Sequence, residues 1–248
     1  MMTEAVKVWD DGPVRVVQIN RPEKGNAISQ PVALGIQRAM QEFEHDDALR
    51  CAVITSAGGK AFSFGADVTE PPELWRCIPT VGYRPIKPVI AAVEGWCIGG
   101  ALVVAMMADL CVTGRSGKFY YPEAKIGLTG GMIAGLPARI PHKIAMELIM
   151  LCRTIEAERA ANVGLVNEVV EDGQALATAI AWGKQMAGYS PLVIGTLKQV
   201  ITEEILPRGP SEQWALHGQR LAAIRDSEDF KEGAKAFREK RPPNFTGR

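Results

Sequence analysis

The sequence predicts an α/β fold in which short apolar strands alternate with helices and lead into a helical C-terminal region. In the first part of the chain, apolar runs of about five residues recur between glycine, proline and charged residues, as buried strands do. Beyond residue 141, apolar side chains instead recur every three or four positions, which is typical of amphipathic helices. The 248 residues are 47% hydrophobic and 23% charged, as expected for a globular chain.

The strands and helices follow from these two patterns. The predicted strands are 6–10, 14–20, 51–55, 89–93, 110–113 and 165–170. The predicted helices are 30–44, 100–107, 142–151, 156–163, 174–187, 191–205, 210–224 and 227–240. Residues 69–88 carry five prolines and little periodicity, so a loop with at most a short helix is expected there. We therefore expect a β/α core over 1–172 and a helical region over 173–248, forming one continuous unit.

Composition excludes several classes of function. Twenty-eight basic residues balance 28 acidic ones, so the net charge favours neither nucleic acid nor an anionic membrane as a partner. No apolar run is long enough to span a bilayer, and the N-terminal residues lack a secretory or transit pattern. The five cysteines are odd in number and lie mostly in apolar runs, which indicates buried thiols in a reducing compartment. A cytoplasmic location is expected.

Several catalytic motifs are missing. The sequence Gly114-Arg115-Ser116-Gly117 lacks the spacer of a G-x-S-x-G nucleophile elbow, and neither a P-loop nor a G-x-G-x-x-G fingerprint occurs. The three histidines are scattered along the chain. Neither a metal site nor a bound cofactor is therefore predicted.

Two junctions between a strand and a glycine-rich turn carry candidate chemistry. The first spans residues 62–67 (FSFGAD) and the second spans 95–100 (GWCIGG). Glycines there allow sharp turns that leave backbone N–H groups unpaired, and two such donors converging on one point would stabilise a negative oxygen. Either junction alone is more often only a turn. A functional interpretation of the two junctions together depends on a resemblance that covers the rest of the chain.

The chain resembles the crotonase superfamily, also called the enoyl-CoA hydratase/isomerase family, over nearly its whole length. The similar segments follow in the family's order: INRPEKGNA at 19–27, KAFSFGAD at 60–67, KPVIAAVEG at 87–95, MMAD at 106–109, PEAKIGL at 122–128, GLVN at 164–167, EG at 232–233 and AFREKR at 236–241. The resemblance implies a spiral of repeated β-β-α units, with a C-terminal helical region that assembles trimers, often paired into hexamers.

The resemblance also implies roles for individual residues. The backbone amides of Ala66 and Gly100 would hold the carbonyl oxygen of an acyl-CoA thioester. Residues along the path of the coenzyme A would be Lys24, Gly25, Ser63, Ala66, Asp67 and Val68, with Phe237 and Lys240 reaching a CoA bound to a neighbouring subunit. Trp75, Val103 and Met132 would line the acyl pocket. Coenzyme A is part of the substrate, and no separate cofactor is implied.

One position departs from the hydratase pattern. Family hydratases use two glutamates, and the first of these falls at Val103 in this chain, whereas the second falls at Glu123. Valine neither accepts a proton nor orients water, so a single carboxylate is left. Asp67, Glu70 or Glu73 could supply a replacement acid if the proline-rich loop folds over the site.

Two functions remain open from the sequence. The first is an enzyme that isomerises, hydrates or dehydrates an enoyl-CoA, with Glu123 as the one acid/base and an enolate held by two amides. The second is a non-catalytic acyl-CoA-binding homologue, in which Val103 marks the loss of water chemistry.

Overall fold

The computed structural model describes residues 4–206 and 208–248. Within them, a six-stranded sheet has the order β1-β2-β3-β5-β7-β10, in which only β1 and β2 are antiparallel. Its strands are β1 Val6–Asp11, β2 Val14–Ile19, β3 Cys51–Ser56, β5 Val89–Val93, β7 Leu110–Gly114 and β10 Glu168–Val170. This sheet contains the apolar runs that predicted strands.

A second sheet of shorter strands has the order β4-β6-β8-β9. Its members are β4 Ala61–Ser63, β6 Trp96–Ile98, β8 Lys118–Tyr120 and β9 Ile155–Glu156. The first three are parallel, and β9 joins antiparallel to β8. Strands β3, β5 and β7 of the first sheet are followed along the chain by β4, β6 and β8 of the second. A helix follows β6 and β8. This repeated β-β-α unit confirms the expected fold class.

The helices complete the repeats and form the C-terminal region. They are α1 Gln30–His45, α2 Gly100–Met107, α3 Glu123–Ile126, α4 His142–Leu151, α5 Ala157–Asn162, α6 Ala175–Ala187, α7 Pro191–Val200, α8 Pro210–Arg225 and α9 Glu228–Glu239. Shorter 3₁₀ segments occupy Pro22–Lys24, Leu74–Cys77 and Met132–Ala138, and a π-helical turn occupies Ile201–Ile205. None of the helices in these ranges is both long and apolar enough to cross a membrane.

The inner strands β3, β5 and β7 of the first sheet are buried on both faces, which explains their uninterrupted apolar sequences. In β5, Ile90 and Ala92 pack in a small cluster with Ala175 and Ala179 of α6. The alternate residues of β5 belong to the main core on the opposite face. The two-residue period of a strand divides its side chains between these clusters. The first sheet therefore lies between α6 on one face and the main core on the other.

Two element boundaries differ from those predicted by more than one residue. The strand expected over 165–170 begins only at Glu168, because Leu165 and Val166 still bond to Ala160 at the end of α5. The helix expected over 191–205 ends as an α-helix at Val200 and continues as a π-helical turn. The apolar pattern runs through both places and does not distinguish these backbone forms.

Asn26 joins three segments beside the first glycine junction. Its backbone has a positive φ of 54° and its side chain is 1% exposed. The amide group donates to the carbonyls of Ala57 at 2.8 Å and Ala61 at 2.9 Å, and its oxygen accepts the N–H of Arg21 at 3.0 Å. All its side-chain bonds go to backbone groups that frame the entry to β4.

Replacing Asn26 with alanine is expected to lower the free energy of unfolding by about 3 kcal/mol, because buried backbone groups lose their partners. Urea denaturation at a fixed protein concentration measures the change. Asn162→Ala is the matched control, since that side chain is exposed at the end of α5. A loss no larger than that of the control would contradict this role of Asn26.

Candidate active site

The two glycine junctions meet in space. Strands β4 and β6 are parallel neighbours, so the turns that follow them lie at the same edge of the second sheet. A Cβ built on Gly65 would lie only 2.7 Å from the carbonyl oxygen of Ile98 and 3.4 Å from the nitrogen of Gly100. Gly65 also has a φ of 90°, which side chains other than glycine rarely adopt. Glycine at this position therefore brings the two turns into direct contact.

Each turn presents a backbone N–H that has no acceptor within the described ranges. Around Ala66, the Ile28 N–H donates to Gly65 and the Asp67 N–H donates to Ile28, both at 2.8 Å, while the Ala66 N–H is left over. Gly100 is the first residue of α2, where an N–H has no partner inside the helix. Two donors at touching turns form an arrangement that can hold a negative oxygen.

Ser63 shapes the first turn from inside. Its side chain is fully buried, and its hydroxyl accepts the N–H of Gly65 at 3.0 Å. The side chain is therefore turned into the protein, and its observed contact is with the loop that carries Ala66.

Glu123 lies beside the second turn. It begins α3 and is half-buried. A Cβ built on Gly99 would lie 3.3 Å from Oε1 of Glu123, so this carboxylate is next to the residue that precedes the Gly100 amide. The structure thus brings together Ala66, Gly100 and Glu123, which the sequence placed in three separate segments.

Tyr121 is a neighbour of the site that sequence reasoning did not identify. Its hydroxyl donates to Oε2 of Glu123 and lies 2.9 Å from Oγ1 of Thr129. Burial, and then the bond to Glu123, raise the pKa of this phenol above its usual value, so it remains a proton donor at neutral pH. The sequence shows a tyrosine two residues before the glutamate, but it does not show that the tyrosine side chain points toward the carboxylate.

The expected acyl-pocket residues belong to the main apolar core. Val103, on α2, is 3% exposed and Met132 is 7% exposed, while Trp75 is partly buried against this core. Leu74 was missed: a Cβ on Gly100 would lie 2.6 Å from its Cδ2. The aperiodic loop gave no sign that it would place this leucine over the second glycine turn.

The residues expected along the coenzyme A lie around the first turn. Lys24 is exposed at the end of a 3₁₀ segment, and Val68 is 69% exposed. Gly25 has a φ of 58° and lies directly under the ring of Phe64, which any Cβ at Gly25 would overlap. Phe64 is half exposed, so it adds an aromatic surface that was not foreseen.

Two of the three carboxylates suggested as replacement acids, Asp67 and Glu73, are held by arginines. Hydrogen bonds from Thr69, and then from Arg21 at 3.2 Å, lower the pKa of Asp67. Burial raises the pKa of Glu73, but bonds from Arg76 and Gln30 outweigh it, so the net shift is downward.

Glu70, the third suggested acid, is exposed in the same loop. Asp67 and Glu73 are thus committed to contacts of their own, and this geometry makes Glu123 the carboxylate that lies against the glycine turns.

Phe237 and Lys240 lie at the other end of the chain. Phe237 on α9 is 87% exposed, and Lys240 follows the helix with a φ of 52° and is also exposed. The structure of a single chain leaves both side chains open to solvent.

A cavity of 520 Å³ lies away from this site, at the C-terminal end of α2. Met106 and Met107 line it on one side and Ile194 and Leu197 of α7 on the other. Ala66, Gly100 and Glu123 do not line it. In the part of the chain that the structure describes, no cluster of three or more His, Cys, Asp or Glu side chains is placed to hold a metal ion.

Comparison with known proteins assigns the family. The model of the enoyl-CoA hydratase/isomerase family matches residues 11–248. The chain is 33% identical to (E)-benzylidenesuccinyl-CoA hydratase of Thauera aromatica, over 94% of this chain and 96% of that protein. It is 33% identical to carnitinyl-CoA dehydratase of Salmonella typhi over the full length of both. A probable enoyl-CoA hydratase/isomerase from Mycobacterium abscessus superposes with a TM-score of 0.76 at 38% identity, covering both chains completely. The chain therefore belongs to the enoyl-CoA hydratase/isomerase family of the crotonase superfamily.

Proposed function

We propose that this protein is an enzyme that binds an acyl-CoA thioester, holds its carbonyl oxygen between the amides of Ala66 and Gly100, and moves a proton with Glu123. One observation carries the proposal. Among the residues that the structure describes, two backbone donors at turns in direct contact have no acceptor. An oxygen of the Glu123 carboxylate lies against Gly99, the residue before the second donor. Family membership and the names of the relatives support a thioester as the substrate.

The two amides would act on the thioester carbonyl. Removal of a proton from the α-carbon moves negative charge onto the carbonyl oxygen and forms an enolate. A backbone N–H aimed at that oxygen stabilises the charge without reorganising, and each such donor contributes about 3–4 kcal/mol to the transition state. Because one donor begins α2, the helix dipole adds to the effect.

A single carboxylate suffices for the proton transfers of an isomerase. Glu123 would take the proton from C2 of a 3-enoyl-CoA, and the resulting dienolate would accept the same proton at C4. Hydration or dehydration of an enoyl-CoA is also within reach, with Glu123 exchanging the proton at one carbon. We propose that Val103 stands where hydratases of the family carry their first glutamate, so water would be activated by Glu123 alone.

The remaining ligand and assembly roles are also proposals. The coenzyme A would pass the first turn near Lys24, Gly25, Ala66, Asp67 and Val68, with Phe64 beside it. The acyl chain would contact Trp75, Val103 and Met132, together with Leu74. The reaction as written needs no further cofactor.

We propose a homotrimer or a pair of trimers as the assembled state. Large apolar side chains are exposed on the C-terminal helices, among them Leu192 at 78%, Trp214 at 77% and Phe237 at 87%. Exposed apolar surface of this kind marks protein contacts. In a trimer, Phe237 and Lys240 would reach the coenzyme A of a neighbour. The five free, buried cysteines favour a reducing compartment, consistent with the cytoplasm.

Turnover of a panel of thioesters tests the proposal. Purified protein is incubated with 2-enoyl-CoA, 3-enoyl-CoA and 3-hydroxyacyl-CoA esters of graded chain length, and products are separated by chromatography with mass detection. We expect the protein to interconvert 3-enoyl-CoA with 2-enoyl-CoA, or 2-enoyl-CoA with 3-hydroxyacyl-CoA. Binding of the esters without any turnover would overturn the proposal and identify a binding protein. Absence of both binding and turnover would overturn the thioester assignment itself.

A further inference from the structure

The side chains behind Glu123 form a hydrogen-bond chain with one direction. The N–H of Gly131 donates to Oγ1 of Thr129 at 3.0 Å, and Thr129 lies 2.9 Å from the hydroxyl of Tyr121. Tyr121 gives its single hydroxyl proton to Oε2 of Glu123. The Thr129 hydroxyl must then be the donor toward Tyr121, because a phenol has only one proton to give. Every donor in the chain therefore points toward the carboxylate.

A chain of this direction holds the carboxylate in one orientation. Consecutive hydrogen bonds strengthen one another in a partly buried setting. Tyr121 is 3% exposed, so water competes little for its hydroxyl. The bond also fixes Oε2 on the protein side, while Oε1 remains against Gly99 at the glycine turn.

We propose that Tyr121, oriented by Thr129, is a positioning residue that holds Oε2 of Glu123 and thereby directs Oε1 at the thioester. This inference rests on the proposed function, since it assigns the support of the same acid/base. It also accounts for a site with one carboxylate: the hydroxyl chain supplies the polar neighbour that Val103 does not.

The charged groups of α3 and of the helices beside it can be separated from the hydroxyl chain. On α3 itself, Lys125 lies 3.4 Å from the hydroxyl of Tyr120. Helix α4 packs on α3 and carries His142, Lys143 and Glu147, and arginines bind the last of these. The residues of α2 beside the site are all uncharged. A variant that removes only the Tyr121 hydroxyl therefore changes no charge.

The steady-state kcat and KM of Tyr121→Phe test the inference, with Tyr120→Phe as the matched control. We expect kcat at neutral pH to fall about tenfold, because a hydrogen bond to a charged group is lost. KM should be unchanged, because the substrate contacts stay and only the direction of the carboxylate is lost. Tyr120→Phe should retain the wild-type kcat and KM, since its hydroxyl contacts Lys125 instead.

Two further variants keep the test decisive. Thr129→Val should lower kcat by a smaller factor with KM unchanged, and Thr129→Ser should restore kcat, because serine keeps the donor. If Tyr121→Phe does not fold, this pair alone decides. Wild-type kcat in both Tyr121→Phe and Thr129→Val, in a protein that Glu123→Gln inactivates, would overturn only the role of Tyr121. Full turnover by Glu123→Gln would instead overturn the proposed function.

Discussion

Glu123→Gln is expected to lower kcat by about 10²–10⁴-fold, because the variant loses the group that accepts and returns the proton. Glutamine has nearly the same shape, and its amide oxygen can still accept the Tyr121 hydroxyl that now bonds to Oε2. Substrate affinity should change little, since most of the binding free energy comes from the coenzyme A and acyl portions. A loss in kcat with a steady KM is the signature of a group that acts in the transition state.

The measurement is steady-state kinetics with the best substrate of the thioester panel, at saturating and limiting concentrations. Glu158→Gln provides the same chemical change at an exposed carboxylate, which pairs with Arg115 at 2.9 Å on the surface. Surface pairs of this kind contribute little to stability, so wild-type kinetics are expected from the control. Equal kcat values for Glu123→Gln and Glu158→Gln would exclude Glu123 as the acid/base.

The first sheet and the longer helices could be predicted from the sequence because their patterns are long. The stripe of Val32, Ile36, Met40 and Phe43 is buried along α1, as its spacing indicates. Ser227 accepts the N–H of Phe230 at the start of α9, as a residue of its type before a helix often does. These features depend on local sequence, which a single chain displays directly.

The second sheet could not be predicted in the same way. Its strands are two or three residues long, too short for a period of two to become visible. Its pairing depends on contacts between distant segments. Gly95, with a φ of 63°, lies against the carbonyl of Lys60, which adjoins β4. The sequence marks such glycines as turns without indicating what they approach.

The candidate site likewise contains residues that local sequence identifies and residues that only tertiary packing reveals. Ala66, Gly100 and Glu123 were identified from motifs, because their neighbours in the chain carry the pattern. Leu74 and Tyr121 were missed, since each reaches the site through side-chain direction in a short, aperiodic segment. Contacts that depend on tertiary packing therefore required the structure.

Gly100→Pro is expected to show how much the second backbone donor contributes. Gly100 is the first residue of α2, a position where proline is well tolerated and where its missing N–H breaks no helical bond. Gly99 precedes it with φ 55° and ψ −118°, outside the helical region that a following proline disfavours. The variant therefore removes one candidate oxyanion donor while it keeps the helix.

The added carbon atoms need a control of their own, because a Cβ on Gly100 would lie 2.6 Å from Leu74. Gly100→Ala adds this Cβ but keeps the N–H, so the ratio of the two variants separates the effect of the Cβ from that of replacing the N–H by the proline Cδ. We expect kcat of Gly100→Pro to be about 10²–10³-fold below that of Gly100→Ala, the usual effect of losing one oxyanion donor. Repeating the pair in a Leu74→Ala background gives the Cβ room and should preserve the ratio. Equal kcat values in both backgrounds, with acyl-CoA binding and thermal unfolding matched, would show that the thioester oxygen does not use this amide.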